Sequence, residues 1–130
     1  MHLSSLAQLE AFTTRDGCTI RELAGPSWAP ARNQSLAEAT VPAGAATVAH
    51  RHREAEELYF FTAGQGRLRV GDEERHVAAG DCAVIPPGTP HKWAAADAPL
   101  VLLCCCSPAY ADADTELLEQ DSARSADIPS

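Results

Sequence analysis

Turn-forming residues punctuate this chain at short intervals, and that punctuation limits the fold more than any other feature. Gly25-Pro26 with Pro30, Pro42-Ala43-Gly44, Gly64, Gly71-Asp72, Gly80 and Pro86-Pro87-Gly88 each mark a loop or turn. Between them lie short alternating or apolar runs: Cys18 to Leu23, Gln34 to Val41, Leu58 to Phe61, Arg67 to Val70, Arg75 to Val77 and Leu100 to Ser107. The run from Arg67 to Val77 reads as a hairpin, because its Gly71-Asp72 turn and its alternation agree. Short strands at close, regular spacing argue for an all-β barrel or sandwich, and a jelly-roll barrel is the best fit. At 130 residues the chain can bury one core, so a single domain is expected.

The chemistry concentrates between Gly44 and Gly64. His50 and His52 are two apart, which in a strand puts both imidazoles on one face, with about 6.6–6.8 Å of rise between their backbones. Arg53 to Glu56 is a polar run suited to a turn, and Leu58-Tyr59-Phe60-Phe61 resumes a strand. The expectation is one hairpin that folds Glu57 back across from the histidine pair. Two imidazoles and a carboxylate form a mixed nitrogen and oxygen set suited to divalent iron, manganese, cobalt, nickel or zinc. A fourth ligand is available downstream, where Gly80 opens a turn, Pro86-Pro87-Gly88 closes a strand and His91 begins the next.

These two blocks resemble the signature motifs of the cupin superfamily. Gly44, His50, His52, Glu57 and Gly64 match the first motif, and Gly80, Pro86, Gly88 and His91 match the second. Ala95 stands where the second motif has Asn, a position that is not a ligand in the family. The resemblance implies a cupin-type double-stranded β-helix in which His50, His52, Glu57 and His91 hold one divalent transition metal per chain. It implies little about substrate, since the superfamily includes dioxygenases, isomerases, decarboxylases, lyases and binding proteins. A homodimer is a further implication, and Leu58 and Phe60, facing away from the ligands, would need cover from a second sheet or subunit.

Outside the barrel, expected over 18–110, residues 1–17 read as a lead in which Ser4 or Ser5 can cap a weak helical pattern. Asp112 to Glu119 places acidic residues at the start of a short helical pattern, so a small helix is expected over 111–120. Residues 121–130, rich in Ser, Ala and Asp, read as a disordered tail. No apolar run approaches the roughly 20 residues of a membrane helix. The first residues lack a basic leader before an apolar core, which favours the cytoplasm. A net charge of −8 with scattered Lys and Arg makes nucleic acid an unsuitable partner.

Strand parity extends the site. Tyr59 and Phe61 share the face of Glu57, Val48 that of the histidine pair, and Trp93 that of His91. Val48, Phe61 and Trp93 are therefore expected to wall a substrate pocket, with Tyr59 as a candidate general acid or base; core filling is the plainer role for inward aromatics. Of the consecutive Cys104, Cys105 and Cys106, the outer two share a face. They read first as small buried hydrophobes, with a thiol lent to the pocket as the sharper alternative. His2, His76 and the alternating Arg67, Arg69 and Arg75 read as solvated residues. Four protein ligands leave open positions on the ion, the arrangement that catalysis needs. Three functions follow: a dioxygenase-like oxidoreductase acting on a small organic molecule, which the four-ligand set favours; a metal-dependent isomerase, epimerase or lyase working without oxygen; and a non-catalytic binding protein.

Overall fold

The computed structural model describes residues 1–27 and 30–119; the expected tail over 121–130 lies outside the described residues. Among the described residues eleven strands run in chain order: β1 (Phe12–Thr13), β2 (Thr19–Ala24), β3 (Ser35–Val41), β4 (His50–His52), β5 (Glu56–Ala63), β6 (Gln65–Val70), β7 (Glu73–Ala78), β8 (Cys82–Ile85), β9 (His91–Ala95), β10 (Leu100–Ser107) and β11 (Thr115–Leu117). They form two sheets, ordered β1-β2-β3-β10-β5-β8 and β11-β4-β9-β6-β7, with every strand pair antiparallel. The jelly roll expected from the turn spacing is the fold.

Alternation sets which side chains enter the space between the sheets. Along β5, Glu57, Tyr59 and Phe61 are buried while Leu58 and Phe60 are exposed. On β10, Leu100, Leu102 and Cys106 are buried, and on β9 every residue from His91 to Ala95 is. Trp93, Phe61, Ile85, Leu100 and Leu102 pack together in the core between the sheets, each at most 2% exposed. A one-residue irregularity at Thr62 moves the β5–β10 register, so that Phe61 opposes Leu102, Tyr59 opposes Cys104 and Glu57 opposes Cys106.

The β6–β7 hairpin turns at Gly71-Asp72 as expected, with Val70 opposite Glu73 and Gly71 at φ +59°. Gly64 has φ +82°, and a Cβ there would lie 2.2 Å from the Pro99 carbonyl oxygen, so the first motif's closing glycine is required by contact as well as by conformation. Ala95 lies within β9 opposite Gly66, and its N–H donates to the Ala45 carbonyl at 2.9 Å. Its strand is regular without the Asn of the motif.

Three expectations need correction. β4 and β5 do not pair: β4 lies between β11 and β9, whereas β5 lies between β10 and β8 in the opposite sheet. The polar run Arg53 to Ala55 is a crossover between sheets rather than a hairpin turn, and Glu57 faces the histidines across the barrel. Asp114 holds that crossover, accepting the Glu54 N–H at 2.9 Å and the Ala55 N–H at 3.1 Å. Second, the helix expected over 111–120 amounts to one 3-10 turn, Asp112–Asp114, followed by β11, whose ladder with β4 outweighs the local helical pattern. Third, the lead over 1–17 is not separate from the barrel, because β1 pairs with β2. Its helical portion is a single 3-10 turn at Leu6–Gln8; Ser5 makes no capping bond, and Ser4 Oγ donates to the Leu23 carbonyl instead.

Candidate metal centre

Strand register brings the four expected ligands together. His50 and His52 come from β4, His91 from β9 directly opposite His50, and Glu57 from β5 across the interior. All four are buried, at 2–4% exposure, and one ligand atom from each lies within 4.8 Å of the others. The imidazole centroids of His50 and His91 are 4.2 Å apart, and that of His52 lies 5.4 and 5.5 Å from them.

Each imidazole is anchored through Nδ1. His50 Nδ1 lies 2.7 Å from the Val48 carbonyl oxygen and His91 Nδ1 2.9 Å from that of Thr89. A carbonyl only accepts, so both nitrogens carry a proton. His52 Nδ1 lies 2.9 Å from Thr115 Oγ1, whose own hydroxyl donates to the Ala111 carbonyl, so His52 is the donor there too. In the neutral rings all three Nε2 atoms are then bare lone pairs.

Those lone pairs face carboxylate oxygens. His52 Nε2 is 2.9 Å and His91 Nε2 3.0 Å from Glu57 Oε1, while His50 Nε2 is 3.3 Å from Asp16 Oδ2. Glu57 Oε1 and His91 Nε2 are fully buried with no hydrogen bond of acceptable geometry among the described residues. Acceptors aimed at acceptors in a dry interior repel unless a cation lies between them or the rings charge. Two donors each about 2.1 Å from one ion and at right angles to each other sit about 3.0 Å apart. The residues therefore fit a divalent metal, with imidazole from three sides and carboxylate from the fourth.

Electrostatics sort the ligands. Burial and the neighbouring His91 push the His50 pKa down to about 4. Burial also disfavours charge on His52, but its contact with Glu57 outweighs this and raises its pKa. Burial works to raise the Glu57 pKa, and the two imidazoles beside it overcome that and hold it well below 4.5. Glu57 is a carboxylate under ordinary conditions.

A narrow cavity of about 70 Å³ leads to this cluster. It is lined by His50, His52, Glu57, Tyr59 and Trp93, and by residues that sequence reasoning did not place there: Phe12, Thr14, Asp16 and Tyr110. Val48 and Phe61, although wholly buried, do not line it; they are packed within the interior. Tyr59 does line it, and burial followed by the charge of Glu57 pushes its pKa well up, so its hydroxyl keeps its proton. Asp16 is held by the Thr14 hydroxyl and the Cys18 N–H. A single Asp in a lead segment carries no spacing signal, and only the pairing of β1 with β2 brings it to the cavity mouth. Cys104 and Cys106 line the same cavity, with Sγ atoms 2.9 and 3.2 Å from Glu57 Oε2, so the sharper reading of the cysteine run describes their position. Contact with Cys106, burial and the charge of Glu57 push the Cys104 thiol pKa well up.

Known proteins with related sequences and folds can be set beside this geometry. The chain is 42% identical over 113 residues to an uncharacterized protein of Methanocaldococcus jannaschii, covering 86% of this chain and 90% of that one. Among solved structures it superposes on oxalate decarboxylase from Bacillus subtilis with a TM-score of 0.77 at 22% identity, covering 91% of this chain but 32% of that one. The lyase DddQ from Ruegeria pomeroyi, whose substrate is abbreviated DMSP, gives 0.72 at 23%, covering 88% and 64%. The nucleoside dehydratase Pac13 of Streptomyces gives 0.73 at 14%, covering 92% and 94%. At these identities the structural likeness speaks for the fold. Residues 37–106 match the family model of the cupin domain, more than half of the chain, and the protein belongs to that family.

Proposed function

We propose that the protein is a mononuclear metal-dependent enzyme acting on a small organic molecule that approaches the ion through one or two oxygens. The observation that carries this reading is the convergence of three anchored imidazoles, each with a bare Nε2, on carboxylate oxygens of the buried Glu57 and the partly buried Asp16. His50, His52, Glu57 and His91 would hold one iron, manganese, nickel, cobalt or zinc ion. A divalent ion bound there supplies a Lewis acid that polarises a substrate oxygen.

The chain's own groups suit proton transfer. Tyr59 keeps the proton at its hydroxyl, held there by burial and the charge of Glu57, so it is suited to donate a hydrogen bond to a substrate oxygen rather than to act as a base. Asp16 Oδ2 is placed at the cavity to take a proton. Trp93, 1% exposed, supplies an apolar wall, and Tyr110 an aromatic one at the more exposed side. A cavity of about 70 Å³ admits the reacting part of a molecule with only a few heavy atoms, since a single water needs about 10–15 Å³ on the same measure. These features favour elimination, decarboxylation or isomerisation without oxygen, and the named decarboxylase, lyase and dehydratase neighbours agree with that class.

The dioxygenase-like reading rests on the same ligand set and its open positions. Against it stand the Cys104 and Cys106 thiols in the same cavity, which oxygen chemistry would put at risk of oxidation. The readings separate when metal-loaded protein is given a panel of small hydroxy, keto and dicarboxylic acids while oxygen uptake and product are followed together. Turnover under argon is expected. Turnover that stops without oxygen and consumes it stoichiometrically would overturn the oxygen-independent reading.

Self-association belongs to the same proposal. Leu58, Phe60 and Val84 are 42%, 45% and 58% exposed on the outer face of one sheet, with Leu58 directly opposite Val84, and a second copy is the natural cover for this strip. The cytoplasm suits a chain whose five cysteines are all free.

A further inference from the structure

Glu57 has two oxygens, and the histidine cluster uses one of them. Oε1 faces His52 and His91, whereas Oε2 accepts from both Cys104 Sγ at 2.9 Å and Cys106 Sγ at 3.2 Å. The two sulfurs are 3.6 Å apart. Two thiolates each about 2.3 Å from a tetrahedral ion lie about 3.7–3.8 Å from each other, so the pair is already at ligand spacing. We propose that Cys104, Cys106 and Glu57 Oε2 form a second cation site, for a thiophilic ion such as zinc or cadmium, beside the histidine cluster.

The alternative use of two neighbouring thiols is a disulfide. Residues two apart in a strand have backbones about 6.6–6.8 Å apart, the upper limit at which a disulfide closes, so a bridge would have to pull β10 out of its ladders. β10 is paired along its length with β3 and β5, which resists that movement. A cation needs no such shift. On binding, both S–H bonds break, two protons pass to solvent and no electrons move, so a divalent ion is held by two thiolates and one carboxylate oxygen. Its fourth position opens to the cavity that Cys104, Cys106 and Ser35 line. The site draws on the histidine reading only in sharing Glu57, and it puts a soft-ligand site next to a nitrogen-rich one.

The test is a cadmium titration of the reduced full chain, reading the near-ultraviolet thiolate-to-metal charge-transfer band, proton release and bound metal. Wild type is expected to develop the band and to bind about two ions per chain, one of them with release of about two protons. Cys104→Ser should abolish most of the band and reduce the count to about one, and as Cys104 is only half-buried this variant should fold. Cys105→Ser and Cys82→Ser should leave the band unchanged. A double variant His50→Ala, His52→Ala should lose the other ion and keep the band. No band in wild type, or a band that survives Cys104→Ser, would overturn the proposal. So would a band lost in the histidine double variant, since the thiols would then merely complete the first site. A band in wild type with no histidine-bound ion would leave this site standing while removing the histidine reading.

Discussion

Each imidazole of the candidate metal centre depends on one neighbour outside the ligand set. Val48 and Thr89 supply backbone carbonyls two residues before His50 and His91, whereas His52 relies on the Thr115 hydroxyl from a strand 63 residues away in sequence. Thr115→Val keeps the shape and removes that acceptor. It should weaken metal affinity roughly 10–100-fold, measured by competition with a chelator, with little change in fold. Protons compete for the same nitrogens. Only neutral imidazole binds metal, and Glu57 raises the His52 pKa above 6.5, so affinity is present above that raised value and is lost as pH falls through it. The buried His50, pushed down to about 4, contributes to this loss only at lower pH. Titrations at about pH 7.5 and about pH 5.5 should therefore differ, with metal bound tightly only at the higher.

At the scale of elements, the site is joined across two sheets by the crossover from β4 to β5, and Asp114 is its clamp. Asp114→Ala leaves the exposed Glu54 and part-buried Ala55 N–H groups without their acceptor and should cost about 1 kcal/mol, read as a lower midpoint in urea. Metal content should fall with it, because Glu57 follows the crossover directly. This element also shows where sequence reasoning stops. The convergence of His50, His52, Glu57 and His91 was legible because ligand chemistry demands particular residue types at particular spacings. The partner of β5 was not, since a polar turn run has the same composition whether it closes a hairpin or crosses between sheets. Asp112 to Glu119 misled for a related reason: acidic residues suit a helix start, but a ladder with β4 decided the conformation of Thr115–Leu117. Val48 and Phe61 had the right parity for the interior and still missed the cavity, because parity gives the face and not the depth along the barrel.

For the whole molecule, alternation and turn spacing were enough to anticipate a jelly roll, and they also identified Leu58 and Phe60 as outward-facing. The structure adds Val84 beside them, forming an apolar strip that no element among the described residues covers. Phe60→Glu puts a charge in the middle of that strip without touching the interior. Wild type should sediment as a dimer at tens of micromolar and the variant as a monomer, with about the same metal content in both. A monomeric wild type would remove the case for self-association and leave the metal centre unaffected. The long-range consequence of the fold is that residues from the lead, from β4, from β5, from β9 and from β10 meet around one small cavity, which explains why a segment outside the motifs contributes Asp16.

The most direct test is elemental analysis of protein purified without chelator or metal-leaching resin, wild type against His50→Ala. His50 is buried and its Nδ1 bond to Val48 is local, so its loss should remove a ligand with little effect on the barrel. A centre built from His50, His52, Glu57 and His91 should carry about one transition-metal ion per chain beyond any held by the Cys104 and Cys106 pair, and that ion should be largely lost in the variant. Equal metal in both proteins, or none in wild type even after anaerobic reconstitution with iron, manganese and zinc, would contradict the metal assignment.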